Sequence, residues 1–447
     1  MNLIYGIKDK PKFGQMLVFA FQQVLAILAA TILVPVIVGN GMSQAAALFG
    51  AGVGTIVYQL FTKFNSPVFL GSSFAFLGSM AAAFAGAVSA QAGFAGLIIG
   101  AVFAGLVYVI IAIVVKIAGV KWIDKLMPPV VIGPTVAIIG MSLAGNAISD
   151  IGLGKVMVDG VSAASPYVCL ICGLVTLFTV MLVSTYGKKT AKLIPFIIGI
   201  VVGYIVAAIF TVIGIQTGNT ALQVIDFSVF KGMQIFAVPD FTFLTGIAGM
   251  KEITGTYIAT VAVAYVPVAF VVFAEHLADH KNISSIIGQD LLAEPGLHRT
   301  LLGDGVGSMV GAFFGGCPNT TYGESVGCVA ITRNASVVTI TTAAILCIII
   351  SFFGPFVTFL SSIPNCVMGG VCMTLYGFIA VSGLKMLQKV DLNQNKNLFV
   401  AAVILIAGIG GLTVSFGANG EVTLTSIACA LILGIVANLL LAKGKEA

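Results

Sequence analysis

Glu275 and Asp279 stand four residues apart in the string Phe273-Ala274-Glu275-His276-Leu277-Ala278-Asp279-His280. On a helix this spacing puts both carboxylates on one face, a turn apart. The run before them, Tyr257 to Val272, carries no charge. A third acid, Glu324, closes the string Pro318-Asn319-Thr320-Thr321-Tyr322-Gly323-Glu324 after another uncharged approach. At the centre of a bilayer-spanning helix a carboxylate costs about 2.5–3.5 kcal/mol, so three would oppose insertion by roughly 8–10 kcal/mol if simply added. No basic residue stands in these stretches to offset them, which marks the acids as working groups. A carboxylate accepts N–H donors in charge-assisted hydrogen bonds. Two of them a turn apart in a low-dielectric site titrate as a coupled unit. The chemistry expected is recognition of a polar solute together with uptake and release of a proton, with Asp279 nearest the helix end.

The elements that position these acids follow from composition. Of 447 residues, 59% are hydrophobic and 8% charged, with a mean hydropathy of +1.12. Soluble domains carry about 25% charged residues, so a large aqueous globule is excluded, and recurrent apolar runs predict a polytopic all-α membrane protein. The spans read 14–38, 43–62, 67–85, 93–115, 126–148, 164–184, 193–215, 257–278, 304–316, 318–331, 335–353, 360–384, 397–415 and 422–441. The third, ninth and tenth read as too short or broken for whole helices. With fourteen segments and both termini cytoplasmic, every basic residue except Lys155, Lys231 and Lys251 falls on the inner side, as the positive-inside rule requires. The basic residues are scattered in short loops, so no nucleic-acid partner is expected. The expected location is the plasma (inner) membrane.

An internal repeat is faint but readable. Gly71-Ser72-Ser73-Phe74 and Asn319-Thr320-Thr321-Tyr322 each place two hydroxyl residues before an aromatic, after Pro67 and Pro318. Pro129 with Gly133 and Pro364 with Gly369 mark the fifth segment of each half. Seven is odd, so the halves are inverted, and paired interrupted segments point to a transporter's binding site. Hydroxyl and β-branched residues favour extended backbone here, tolerable at membrane depth only where it is buried or lines a cavity. Two such stretches could pair, each presenting the N-terminus of a short helix to a polar ligand. Among other chemistry-bearing residues, His276 reads as a packed helix residue, His280 as solvated at the cytoplasmic helix end, and His298 as a loop or cap. Cys169 and Cys172 form a CxxC inside an apolar run and read as packing. No nucleotide loop, metal cluster or nucleophile arrangement suggests an enzyme.

The strings Gly71-Ser72-Ser73-Phe74-Ala75-Phe76, Ala274-Glu275-His276, Pro295-Gly296-Leu297-His298-Arg299 and Pro318 to Glu324 resemble the nucleobase–ascorbate transporter family, and within it the proton-coupled uracil branch. The resemblance implies fourteen segments as two inverted seven-segment repeats, with short antiparallel strands in segments three and ten. It implies a core domain from residues 1–116 and 257–353, a gate domain from 117–215 and 354–447, and an external connection at 216–256. By position, Glu275 and Glu324 match the family's base-binding carboxylates. Phe74 and Tyr322 match residues lining the base, Gly323 offers backbone, and Ala30 matches a first-segment contact. No cofactor is implied beyond the coupling proton, and a homodimer through the gate domain is. Three departures stand out: Gln23 where the family has His, Asp279 where the uracil branch has His, and Ser325 where the family has Asn.

Competing readings are a purine or xanthine permease of the same family, an anion exchanger on the same plan, and an ion channel. An anion carrier should not set Glu324 beside the helix N-terminus that holds its substrate, and a channel needs weak sites repeated along a pore. For topology, a cysteine placed at Asn219, in a background lacking the native cysteines, is expected to react with an impermeant thiol reagent in intact cells. Protection there, with labelling at Lys189 instead, would invert the orientation.

Overall fold

Hydroxyl caps and left-handed glycines cut the apolar chain into helices. The side chains of Ser43, Ser89, Thr254, Ser336 and Thr425 accept from backbone N–H groups of the helices they begin, satisfying donors that a helix start leaves free. Gly288 and Gly316 close helices at positive φ, which glycine adopts without a Cβ penalty. The computed structural model of the chain describes residues 3–119, 121–158, 160–188, 190–416 and 422–442.

The first half runs α1 (Phe13–Val38), α2 (Gln44–Phe61), strand β1 (Leu70–Ser72), a 3-10 turn Phe74–Phe76 into α3 (Leu77–Ala85), α4 (Ala90–Ala118), α5 (Pro129–Ser142), α6 (Pro166–Tyr186) and α7 (Pro195–Thr217). The second runs α8 (Gly255–Ile287), α9 (Leu297–Gly315), strand β2 (Asn319–Thr321), α10 (Gly323–Thr332), α11 (Val337–Ser351), α12 (Asn365–Leu387), α13 (Asn395–Ile409) and α14 (Ser426–Leu441). Shorter helices and two small hairpins lie between them. Among the described residues, eight helices are long and apolar enough to cross a bilayer.

Two expectations need correction. The ninth span, expected to be broken and confined to 304–316, is the continuous helix α9 from Leu297. The eighth, expected to stop at 278, continues to Ile287. In both places polar side chains, His280 to Asn282 on α8 and His298 to Thr300 on α9, lower the local hydropathy inside a real helix.

The interrupted segments pair as expected. β1 and β2 are antiparallel, with Leu70 opposite Thr321, Gly71 opposite Thr320 and Ser72 opposite Asn319. A two-strand ladder leaves outer edges, and side chains satisfy them. Thr55 Oγ1 accepts from the Leu70 N–H at 2.9 Å and lies 3.1 Å from its carbonyl. Gln59 Nε2 donates to the Ser66 and Val68 carbonyls, and Ser325 Oγ accepts from the Phe69 N–H.

The helices pack in two groups. One contains α1–α4 and α8–α11, the other α5–α7 and α12–α14. Each group has a glycine-lined contact between counterpart segments of the two halves. In the first, α2 meets α9: a Cβ on Gly54 would sit 2.8 Å from the Gly307 carbonyl oxygen and collide with the Asn319 amide, and one on Gly50 would collide with Gly311. In the second, α5 meets α12, where a Cβ on Gly133 would lie 2.9 Å from the Gly383 carbonyl. Small residues give membrane helices this close backbone approach. The outer faces of α6 and α7 carry exposed Phe178, Leu182, Ile205 and Ile209, apolar surface suited to acyl chains.

Gly54→Val is therefore expected to destabilise the fold by about 1–3 kcal/mol through overpacking, read as a lower temperature of half-loss of monodisperse protein in detergent. Gly327→Ala, with open space around the new methyl, should leave that temperature unchanged or slightly higher. Equal behaviour of the two variants would remove the α2–α9 contact as a stability determinant.

Candidate functional site

The strand pair sets two short helices nose to nose. Tyr322, extended at φ −115° and ψ 124°, precedes α10, so Glu324 lies in that helix's first turn. The Tyr322 hydroxyl crosses to β1 and donates to the Ser72 carbonyl at 2.6 Å. Its ring lies over Gly71, where a Cβ would come within 2.5–2.6 Å of the ring carbons, so Gly71 is required by this close approach. On β2, Asn319 Nδ2 donates to the Gly50 carbonyl at 3.1 Å, which anchors the strand between α2 and α9.

α8 passes beside this crossing and shows different chemistry on its two sides. Glu275, Ala278 and Asp279 face a cavity of about 420 Å³. Phe74, Thr320, Tyr322, Gly323 and Glu324 share its lining, and the second helix group supplies the apolar side chains Val136, Ile139, Phe196, Leu375 and Phe378. Phe74 also meets Tyr376 edge-on, ring centroids 6.3 Å apart. The structure thus brings Phe74, Glu275, Asp279, Tyr322, Gly323 and Glu324 together. Ala30 is buried in α1 and is not among the lining residues. Asp279 is not a free helix-end acid: its Oδ2 accepts from the Thr321 hydroxyl at 2.7 Å, tying α8 to β2.

The other side of α8 holds a buried polar network. His276 Nδ1 lies 2.6 Å from Asp304 Oδ2 and its Nε2 lies 3.0 Å from Thr300 Oγ1, both on α9. One turn on, the His280 ring stacks on His276 with centroids 4.0 Å apart. His280 Nε2 sits 2.7 Å from the Tyr58 hydroxyl on α2, and its Nδ1 2.8 Å from the His276 carbonyl. His280 is fully buried, which corrects the expectation of a solvated helix end: α8 continues two turns beyond it. His276 is packed, as expected. Asp304 was missed as a site residue, although an acid opening an apolar span was its signal. At 1% exposure it is tolerable only because an imidazole meets it.

The departures Gln23 and Ser325 lie against one another: Gln23 Nε2 donates to Ser325 Oγ at 2.5 Å, joining α1 to α10 one residue after Glu324. Cys169 and Cys172 are buried free thiols. Among the described residues no cluster of His, Cys, Asp and Glu suits a metal ion. A second cavity, about 610 Å³, lies between the same two helix groups, lined by Gly39 and Gly41 to Ala45 on one side and Asn146, Asp150, Asn365 and Met368 on the other. Along α12, the turns from Met368 to Leu375 separate the two cavities.

Known proteins agree with this architecture. Among solved structures, the fold is similar to the transmembrane domain of the cyanobacterial bicarbonate transporter BicA (TM-score 0.62, 16% identity, 98% of this chain and all of that one). It is also similar to the murine anion transporter Slc26a9 in its inward-facing state (TM-score 0.63, 13% identity, 97% of this chain and 69% of that one). In sequence, the uracil permease of Bacillus caldolyticus is 37% identical over 440 residues, 98% of this chain and 94% of that protein. That of Bacillus subtilis is 37% identical over 447 residues, 99% and 96%, and that of Escherichia coli K12 is 33% identical over 432, 96% and 92%. The Xan_ur_permease model, described as "Permease family", matches residues 14–417. Spanning both halves and every acid on the cavity, that match makes this multi-pass membrane chain a member of the Xan_ur_permease family, a transporter and not an enzyme.

Proposed function

We propose that the chain imports a nucleobase, uracil first among them, by proton symport. The observation that carries this reading is one small cavity on which acids from both halves, Glu275 with Asp279 and Glu324, share the lining with the rings of Phe74 and Tyr322. Relatives bearing the name uracil permease along nearly the whole chain support the substrate.

Uracil is planar and neutral, with two ring N–H donors and two carbonyl acceptors. Glu275 and Glu324 accept from the ring N–H groups, while free N–H groups at the start of α10, beside Gly323, donate to a carbonyl. Phe74 and the Tyr322 ring bound the base. Since the Tyr322 hydroxyl is already engaged with Ser72, Tyr322 contributes shape more than polarity. Asp279, held by Thr321, takes and releases the coupling proton. No other cofactor enters.

In this reading the fourteen segments all cross the membrane with both termini cytoplasmic. A core (1–116 and 257–353) carries the site past a gate (117–215 and 354–447), with 216–256 outside, and two gate domains meet in a homodimer. Cavities at both ends of the contact between the helix groups support alternating access. The structural neighbours' titles name bicarbonate and anion transport, but three carboxylates on one cavity repel an anion, which favours the neutral base. A purine or xanthine is the alternative within the family. Uptake of radiolabelled uracil, abolished by a proton ionophore, is the direct test.

Two variants examine the roles. Glu324→Gln keeps the shape and loses an ionised acceptor. Hydrogen bonds to charged groups contribute about 1.5–3 kcal/mol, so uracil affinity should fall about tenfold to a hundredfold. Tyr322→Ala should also weaken it, whereas His298→Ala should not. Binding within a factor of two of wild type in Glu324→Gln would take Glu324 out of the site. Asp279→Asn should still bind uracil and exchange it across proteoliposomes, yet fail to concentrate it on an imposed pH gradient. Accumulation as strong as wild type would move the coupling proton to Glu275 or Glu324.

A further inference from the structure

Away from the contact between the two helix groups, the flank of the first group carries a groove of about 710 Å³. Its floor is the outward side of α11, with Val338, Thr341 and Ile345. The hydroxyls of Thr341 and Thr342 bond back to carbonyls of their own helix at 2.9 and 2.8 Å, so this floor presents mainly carbon. Beyond the groove the same helix continues outward with exposed Ile349. The two rims are basic. Lys8 comes from the N-terminal lead and Lys63 from the turn after α2.

Both rims are held in place. The lead runs beside the start of α11: the Ala335 N–H donates to the Tyr5 carbonyl at 2.9 Å, the Val337 N–H to the Ile7 carbonyl at 3.0 Å, and the Ser336 hydroxyl to the Asp9 carbonyl at 2.6 Å. Lys63 and Phe64 both sit at φ +54°, a left-handed conformation that non-glycine residues adopt rarely and at a cost. That turn leaves Lys63 and Phe64 exposed at the mouth of the groove. Among the described residues neither lysine has an ion-pair partner, and the one acid–base pair is His276 with Asp304. Asp9, the acid next to Lys8, has its carboxylate on the Gly6 N–H at 2.7 Å.

Two uncompensated cations over an apolar trough, on the flank of a membrane-crossing protein, match one amphiphile. We infer that this groove binds an anionic phospholipid of the surrounding bilayer, its phosphate between Lys8 and Lys63 and an acyl chain along Ile345 and Ile349. Basic residues at a membrane surface each favour anionic lipid by about fivefold, so the pair supplies a preference of roughly twentyfold to thirtyfold over a zwitterionic lipid. A free inorganic anion could use the lysines but would leave the apolar floor uncovered.

The test is native mass spectrometry of the full chain in detergent, titrated with dioleoyl phosphatidylglycerol or dioleoyl phosphatidylcholine. Wild type should bind the phosphatidylglycerol roughly twentyfold to thirtyfold more tightly. Lys8→Gln/Lys63→Gln should bring the two lipids level, while Lys389→Gln/Lys396→Gln, lysines outside the groove, should keep the preference. Three results would overturn the proposal: a preference surviving Lys8→Gln/Lys63→Gln, an equal loss in Lys389→Gln/Lys396→Gln, or displacement of the lipid by equimolar inorganic phosphate. The first two mean diffuse charge attraction, and the third a bare anion site.

Discussion

Unpaired peptide groups cannot face lipid, and this constraint shapes the protein's centre. Breaking two segments to expose helix N-termini leaves extended backbone at membrane depth, and each unsatisfied group there costs several kcal/mol. The chain answers with one antiparallel ladder between its halves and with side chains on the remaining edges. Thr55 and Gln59 serve β1 and the residues leading into it, Ser325 takes the Phe69 N–H, and Asn319 locks β2 against α2. The directions of Tyr322 and Glu324 follow from that ladder, and so does the position of Asp279 through Thr321.

α8 translates this arrangement into two separate polar systems. Glu275 and Asp279 face the cavity, while His276 and His280 face α9 and α2. Rotating the helix to improve one system would break the other, so its register is fixed from both sides. The imidazoles hold α8 to Tyr58 and Asp304, and that pinning keeps the acids at constant depth relative to the strands.

Much of this was legible in the sequence because it depends on local pattern. The four-residue spacing of Glu275 and Asp279, the uncharged approaches and the twin strings around Ser72 and Thr320 announced the helix, the acids and the paired strands. Partnerships across 24, 28 or 222 positions leave no periodic trace. His280 read as solvated because hydropathy counts a buried, hydrogen-bonded imidazole as a polar exit from the membrane. The half-buried His298 and Arg299 delayed the apparent start of α9 in a similar way. Ala30 carries no polar atom, so nothing in its own chemistry could say whether it lines the cavity.

The apolar wall that the second helix group turns toward the cavity has a mechanical meaning. Val136, Ile139, Phe196, Leu375 and Phe378 offer no directional bonds to the opposing surface. A polar wall would hold the groups in discrete notches, each hydrogen bond resisting displacement by about 0.5–1.5 kcal/mol. Dispersion contacts are individually weak and re-form with new neighbours as one surface passes the other. In the transport cycle proposed above, such a wall would act as a bearing, letting one helix group slide past the other with little friction.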